Sequence, residues 1–187
     1  MQENINAFLR VLNASDNSTG GGTASSVAGA MAAGLAAMVA RLSMDKKDLA
    51  PTQTYQSVAT EAEMLSAELF KGGHEDAAAF DRVSTAYKMP KDTAEAKTAR
   101  SQAIQSAMRH AAEVPLSNAG RCARVLELCN SLKNSFNTNA ASDLDCGIYL
   151  ATAGLKGCAA NVRINLPYIK DESLRKEIEK RLESIIE

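Results

Sequence analysis

"STGGGTASSVAGAMAAGLAAMVARL", Ser18 to Leu42, decides how this chain folds. Three glycines lead into an alanine-rich run that carries no charge until Arg41. A phosphate-binding P-loop would close its glycines with Gly-Lys-Ser/Thr, but Gly22 is followed by Thr23 and Ala24. A dinucleotide fingerprint needs a preceding strand, and none is predicted. A membrane span of this length would be built on leucine and isoleucine rather than alanine and glycine. Ser25, Gly29 and Ala33 recur at helical spacing, so another backbone can approach closely. Gly147, Ala151, Gly154 and Cys158 form a matching stripe further on. The stretch therefore reads as a buried helix, over about 24–41, packed through small residues and entered by a glycine turn.

Working outward, helical periodicity recurs and strand alternation does not. Ile5, Phe8, Leu9 and Leu12 mark one face of a first short helix. Pro51 suits the first turn of another, which Gly72-Gly73 should end. A further helix is expected from about His74 to just before Met89-Pro90. Thr93 caps the next, Pro115 starts one carrying Cys122 and Cys129, one follows Ser142, and Asp171 caps the last. The expectation is an all-α, multi-helical bundle of about eight helices with no sheet, one domain over residues 1–187.

Lys plus Arg (21) almost balances Asp plus Glu (22). That balance argues against a general nucleic-acid binder and against an acidic tail. The four cysteines form no C-x-x-C pair and stand apart from His74 and His110, so they read as buried thiols rather than a disulfide scaffold or a metal site. The first residues, "MQENINAFLR", do not resemble a signal peptide; a cytoplasmic protein is expected, with no membrane partner.

Two regions could carry chemistry. In "GGHEDAAAFDRVSTAY", Asp76, Phe80 and Tyr87 share a helical face with alanines beside them, space for a flat ligand between a carboxylate and aromatic rings. The competing reading is a carboxylate that complements a helix dipole. In "SFNTNAASDLDCG", Asn137, Asn139, Ser142 and Asp143 make either a turn with its helix cap or a cluster of donors and acceptors. Asn161 and Asn165 are one turn apart, as helix ties or ligand contacts.

Taken together, "TGGGTASSVAGAMAAGLAAMV", "EDAAAFDRVSTAYKMPKDTAEAKTAR", "AAEVPL", "NTNAASDL" and "NVRINL" resemble the cyclodeaminase/cyclohydrolase family of folate enzymes, in order and at similar intervals from about Asn6 to Ile169. The resemblance implies a homodimer acting on a one-carbon tetrahydrofolate derivative, with no cofactor beyond that substrate and no metal. It places the catalytic acid at Asp76 and the ligand-facing glycine turn at Gly20, Gly21 and Gly22. Thr19 and Thr23 stand where the family usually has proline and serine. Lys91, Arg100 and Arg163 are candidate partners for folate's glutamate carboxylates, beside the common reading of surface charges. No formiminotransferase domain is visible, so channelling within one chain is not expected. The expected reaction is formimidoyltetrahydrofolate cyclodeamination, with methenyltetrahydrofolate cyclohydrolysis as the alternative and a non-catalytic folate-binding dimer as a further one.

Overall fold

The computed structural model describes residues 10–15 and 19–187. Among them stand five α-helices and no strand: α1 (Gly21–Ser43), α2 (Thr52–Lys88), α3 (Ala94–Leu132), α4 (Ala141–Asn165) and α5 (Glu172–Ile186). Short 3₁₀ turns, Thr138–Ala140 and Leu166–Tyr168, lead into and out of α4. The expected first helix falls almost wholly outside the described residues. The all-helical class holds; the count of about eight does not.

Two mergers, beside the first helix that falls outside the described residues, account for the lower number. Gly72-Gly73, expected to stop a helix, lies inside the 37-residue α2. Gly72 serves packing instead, since a Cβ there would collide with the Asn118 side chain of α3, whereas one on Gly73 would make ordinary contact with Thr23 and Ser26 of α1. Pro115, expected to begin a helix, is buried within the 39-residue α3. Proline has no N–H for the carbonyl four residues back, so the Ala111 oxygen loses its helical donor. The Asn165 amide of α4 supplies one at 2.8 Å, and the helix continues.

The caps expected at Thr93 and Asp171 are present. The Thr93 hydroxyl accepts from the Ala96 N–H at 3.1 Å, and the Asp171 carboxylate accepts from that of Leu174 at 3.1 Å. Helix α5 buries Ile178 and Leu182 of its predicted stripe against the bundle.

Helix α1 is the hub, contacting α2, α3 and α4. It is also the one described helix long and apolar enough to cross a bilayer, yet most of its residues are buried by these neighbours. The predicted small-residue crossing is present. A Cβ on Gly154 of α4 would lie 2.9 Å from the Ser25 oxygen and 3.2 Å from the Gly29 nitrogen of α1, so the backbones meet where both helices lack bulk. Cys122, Cys129 and Cys158 fill the same core, and burial raises the Cys129 thiol to about 11. Cys146 alone is exposed.

Candidate functional site

Helix α1 starts without a side-chain cap. Its N-cap residue, Gly20, has no side chain to accept a hydrogen bond, and no acidic residue stands in its first turn. The leading N–H groups of the helix therefore need an acceptor from elsewhere. Helix α2 provides one in Asp76. The Thr23 hydroxyl lies 3.2 Å from Asp76 Oδ2 and 3.2 Å from the Gly73 carbonyl, its single proton serving one or the other, and the Thr23 N–H favours the charged carboxylate.

This contact requires glycine at position 22. A Cβ there would fall inside the Asp76 carboxylate, with all three carboxylate atoms too near. A Cβ on Gly21 would lie 3.2 Å from Asn161 Nδ2, whereas Gly20 faces open space. The expected helix starting near His74 is thus corrected in a way that matters. Asp76 does not sit in the first turn of its own helix; it sits mid-helix and meets the N-terminus of α1.

Two opposed influences act on this carboxyl. Burial raises its pKa above the ordinary 3.8, and the Thr23 hydroxyl and N–H pull it down. Burial wins, so the group is held nearer to neutrality than an exposed aspartate. A charge network supports α1 from behind. Glu68 pairs with Arg121 at 2.9 Å, Arg121 donates to Asn118 at 3.1 Å, Asn118 to Ser26 at 2.9 Å, and Ser26 to the Gly22 carbonyl at 3.0 Å.

Asp76 and the three glycines line a cleft of ≈ 390 Å³. Phe80, Val83, Ala79, Met108, Ala111, Ile164 and Tyr168 form its apolar walls, and Asn161 and Asn165 its polar edge. The two asparagines spend their N–H groups on the backbone, Asn161 on Gly157 at 2.8 Å and Asn165 on Ala111 and Asn161 at 2.8 and 2.9 Å. Their amide oxygens have no hydrogen-bond donor among the described residues and stand as acceptors at the cleft wall. Asp76 is the only carboxylic acid among the described residues of this wall.

The structure thus brings together Asp76, Gly20, Gly21, Gly22, Phe80, Asn161 and Asn165. It does not bring the other sequence candidates to the cleft. Tyr87, about three turns beyond Asp76, stacks under Arg100 at 5.6 Å, and Arg100 also donates to the Tyr87 carbonyl at 3.1 Å. That pair ties the end of α2 to the start of α3. Lys91 is exposed in the connection between these helices. Asn137 donates to the Leu42 carbonyl at 3.0 Å and accepts from the Asn139 N–H at 3.2 Å. With Asn139, Ser142 and Asp143 it lies at the C-terminal end of α1, about 30 Å from Gly20 at roughly 1.5 Å per helical residue.

Sequence reading missed Thr23 as a partner of the carboxylate, and Met108, Ala111, Ile164 and Tyr168 as walls. Apolar residues at helical spacing give no signal separating a cleft wall from a core. A larger groove of ≈ 720 Å³ runs between α2 and α3, with Arg82, Arg109, His110 and Glu113 along it. It is open to solvent, and Arg109 is already paired with Glu113 at 2.8 Å. The chemistry is concentrated in the smaller cleft.

A helical bundle that holds a half-buried carboxylic acid against the start of a helix without a cap of its own can exchange a proton with a molecule in the cleft. The family described as Formiminotransferase-cyclodeaminase matches residues 4–184. A methenyltetrahydrofolate cyclohydrolase of Methylorubrum extorquens is 35% identical over 185 residues, 98% of this chain and 89% of that protein. Formimidoyltransferase-cyclodeaminase of Sus scrofa is 28% identical over 184 residues, 98% of this chain but 34% of the relative, so the chain spans about a third of that protein. The crystal structure of formiminotetrahydrofolate cyclodeaminase from Thermotoga maritima superposes with a TM-score of 0.84 at 29% identity, covering 96% of this chain and 86% of that one. The chain belongs to the formiminotransferase-cyclodeaminase family and is an enzyme of folate one-carbon chemistry.

Proposed function

We propose that this enzyme acts at the bridging carbon of 5,10-methenyltetrahydrofolate, with Asp76 as its proton carrier. The observation that supports this most is the Asp76 carboxyl, raised by burial and the one carboxylic acid among the described residues of the cleft. In a cyclohydrolase reaction, water adds to the cationic carbon, Asp76 takes its proton, and N5 receives one as the ring opens to 10-formyltetrahydrofolate. In a cyclodeaminase reaction, N10 attacks the formimino carbon, Asp76 accepts the N10 proton, and ammonia leaves with one. Both routes use a single group that gives and takes. A cationic ring beside Asp76 favours the ionised carboxylate and so opposes the effect of burial.

The cyclohydrolase is our first reading, favoured by the relative of that name that matches over nearly its whole length. The cyclodeaminase is the second, favoured by the similarity to the Thermotoga maritima structure. The pterin would lie against Phe80 and Ile164, its N–H edge toward the amide oxygens of Asn161 and Asn165, and the catalyst would be a cytoplasmic homodimer needing no further cofactor. Following methenyltetrahydrofolate absorbance from each substrate separates the two reactions. Turnover of neither would refute the proposal.

A further inference from the structure

Of the five serine, threonine and asparagine side chains buried among the described residues, three lie in one line behind the cleft: Thr23, Ser26 and Asn118. Each is at most 1% exposed. Polar groups this deep destabilise a core unless each is bonded. The fold also clears space for one of them, since Gly72 has no side chain where the Asn118 amide sits.

The line has a direction. Arg121 donates to Asn118 Oδ1 at 3.1 Å, and a guanidinium can only donate. Asn118 therefore turns its Nδ2 to Ser26 Oγ at 2.9 Å, which leaves the Ser26 hydroxyl to donate to the Gly22 carbonyl at 3.0 Å. That carbonyl and the Thr23 N–H belong to one planar peptide unit. A bond to the oxygen orients and polarises the N–H at the other edge, the group that favours the charged Asp76 carboxylate. From a partly exposed cation inward, every donor in the line points toward Asp76.

The other elements packed around this carboxyl bring little charge to it. Helix α1 carries none before Arg41. On α2 the adjacent His74 and Glu75 are exposed, and Glu75 pairs with Lys71. Met108 and Ala111 face the cleft from α3, and Asn161, Ile164 and Asn165 from α4. Tyr168, after α4, is the other titratable side chain among the described lining residues.

We infer that Asn118 and Arg121 are positioning residues for Asp76, acting through Ser26 and the Gly22–Thr23 peptide although neither lines the cleft. Glu68 holds the outer end of the line, pairing with Arg121 at 2.9 Å. The inference rests on the proposed role of Asp76 for its effect on turnover, but not for its effect on the carboxyl itself.

The test is the titration of the Asp76 carboxyl in the ligand-free protein, followed by ¹³C NMR. Arg121→Met removes the source of the line and Ser26→Ala its central link. Each should raise the Asp76 midpoint above that of wild type, because a slack Thr23 peptide favours the carboxylate less. Should Ser26→Ala not fold, Asn118→Leu breaks the same link and should give the same upward shift. Arg124→Met is the control. Arg124 stands on the same helix and pairs with Glu61 at 2.6 Å, but its bonds run to Glu61 and Glu127 rather than into the line, so the midpoint should stay unmoved. In Arg121→Met/Ser26→Ala the shift should be smaller than the sum of the single shifts, since one break already empties the line. Unmoved midpoints in the single variants, an equal shift in Arg124→Met, or additive shifts, which mean that Arg121 acts directly through space, would each overturn the relay. In an enzyme that turns over a folate, the limb of kcat/KM against pH set by Asp76 should move upward in step with the midpoint. A midpoint that moves without the limb would remove Asp76 from the chemistry and leave the relay standing. If neither folate is turned over, the folate reading fails while the titration still decides the relay.

Discussion

The two ends of α1 solve the same problem in different ways. At the C-terminal end, Ser43 accepts from the Asn137 N–H at 2.9 Å and Asn137 donates to the Leu42 carbonyl, so a neutral amide from the turn before α4 settles the exposed backbone groups. At the N-terminal end no neutral side chain does so. Gly20 to Gly22 leave the helix bare, and the acceptor is a carboxylate from the middle of α2. A helix end settled by a neutral amide is a joint. A helix end settled by a half-buried acid is a place where a proton can be held and released. The difference lies in whether the capping side chain can ionise, and the composition of the capped segment does not reveal that.

The largest break in this comparison is Asp76→Asn. It keeps size and an acceptor oxygen but removes the exchangeable acid. Turnover should fall by about two to four orders of magnitude, with the far-UV circular dichroism unchanged. The same variant exposes a pH signature. The folded pKa of Asp76 is raised, so its contribution to stability is complete below the ordinary 3.8 and is lost as pH rises through the folded value. The melting temperature of wild type relative to Asp76→Asn should therefore decline as pH climbs from below 3.8 through the folded pKa, then level off.

Next in size is Gly22→Ala, whose added methyl displaces the carboxylate from α1. A misplacement of about 1 Å is worth roughly a hundredfold in rate, and steady-state kinetics should show it mainly in kcat. Gly20→Ala, whose Cβ meets no protein atom within 4 Å, should leave the Asp76 carboxyl titration in the ligand-free protein unmoved, while Gly22→Ala shifts it. Equal shifts in the two variants would mean that the glycines serve the turn rather than the acid.

A smaller effect tests the wall of the cleft. Asn165→Leu leaves the Ala111 carbonyl without the donor that replaces the missing N–H of Pro115. Denaturant unfolding should show a loss of about 1–3 kcal/mol, the usual cost of an orphaned buried group. In a Pro115→Ala background the helix regains its own donor, and the same substitution should cost clearly less. Additive losses would separate the two residues.

These pairings also explain what could be read from the sequence. The helical class, the caps at Thr93 and Asp171 and the glycine contact of α1 with α4 rest on local spacing, and all were legible. Gly72-Gly73 and Pro115 misled because their usual punctuating roles were overridden by partners more than forty residues away, Asn118 and Asn165. Asp76 was found through its neighbours in sequence and through resemblance, but its reason for being raised lies in Gly22 and Thr23 of another helix. Arg100 and Tyr87 satisfied the expected spacing and chemistry, and the fold uses them to pin α2 to α3.

The central claim is that burial against the bare N-terminus of α1 holds Asp76 as a usable acid. Titrating the carboxyl carbons of the ¹³C-labelled protein by NMR, with Asp76→Asn to assign the signal, measures it directly. The account predicts a midpoint for Asp76 above the ordinary aspartate value of 3.8. A midpoint at or below that value would contradict it, making the carboxylate a permanent helix cap and leaving the cleft without its proton carrier.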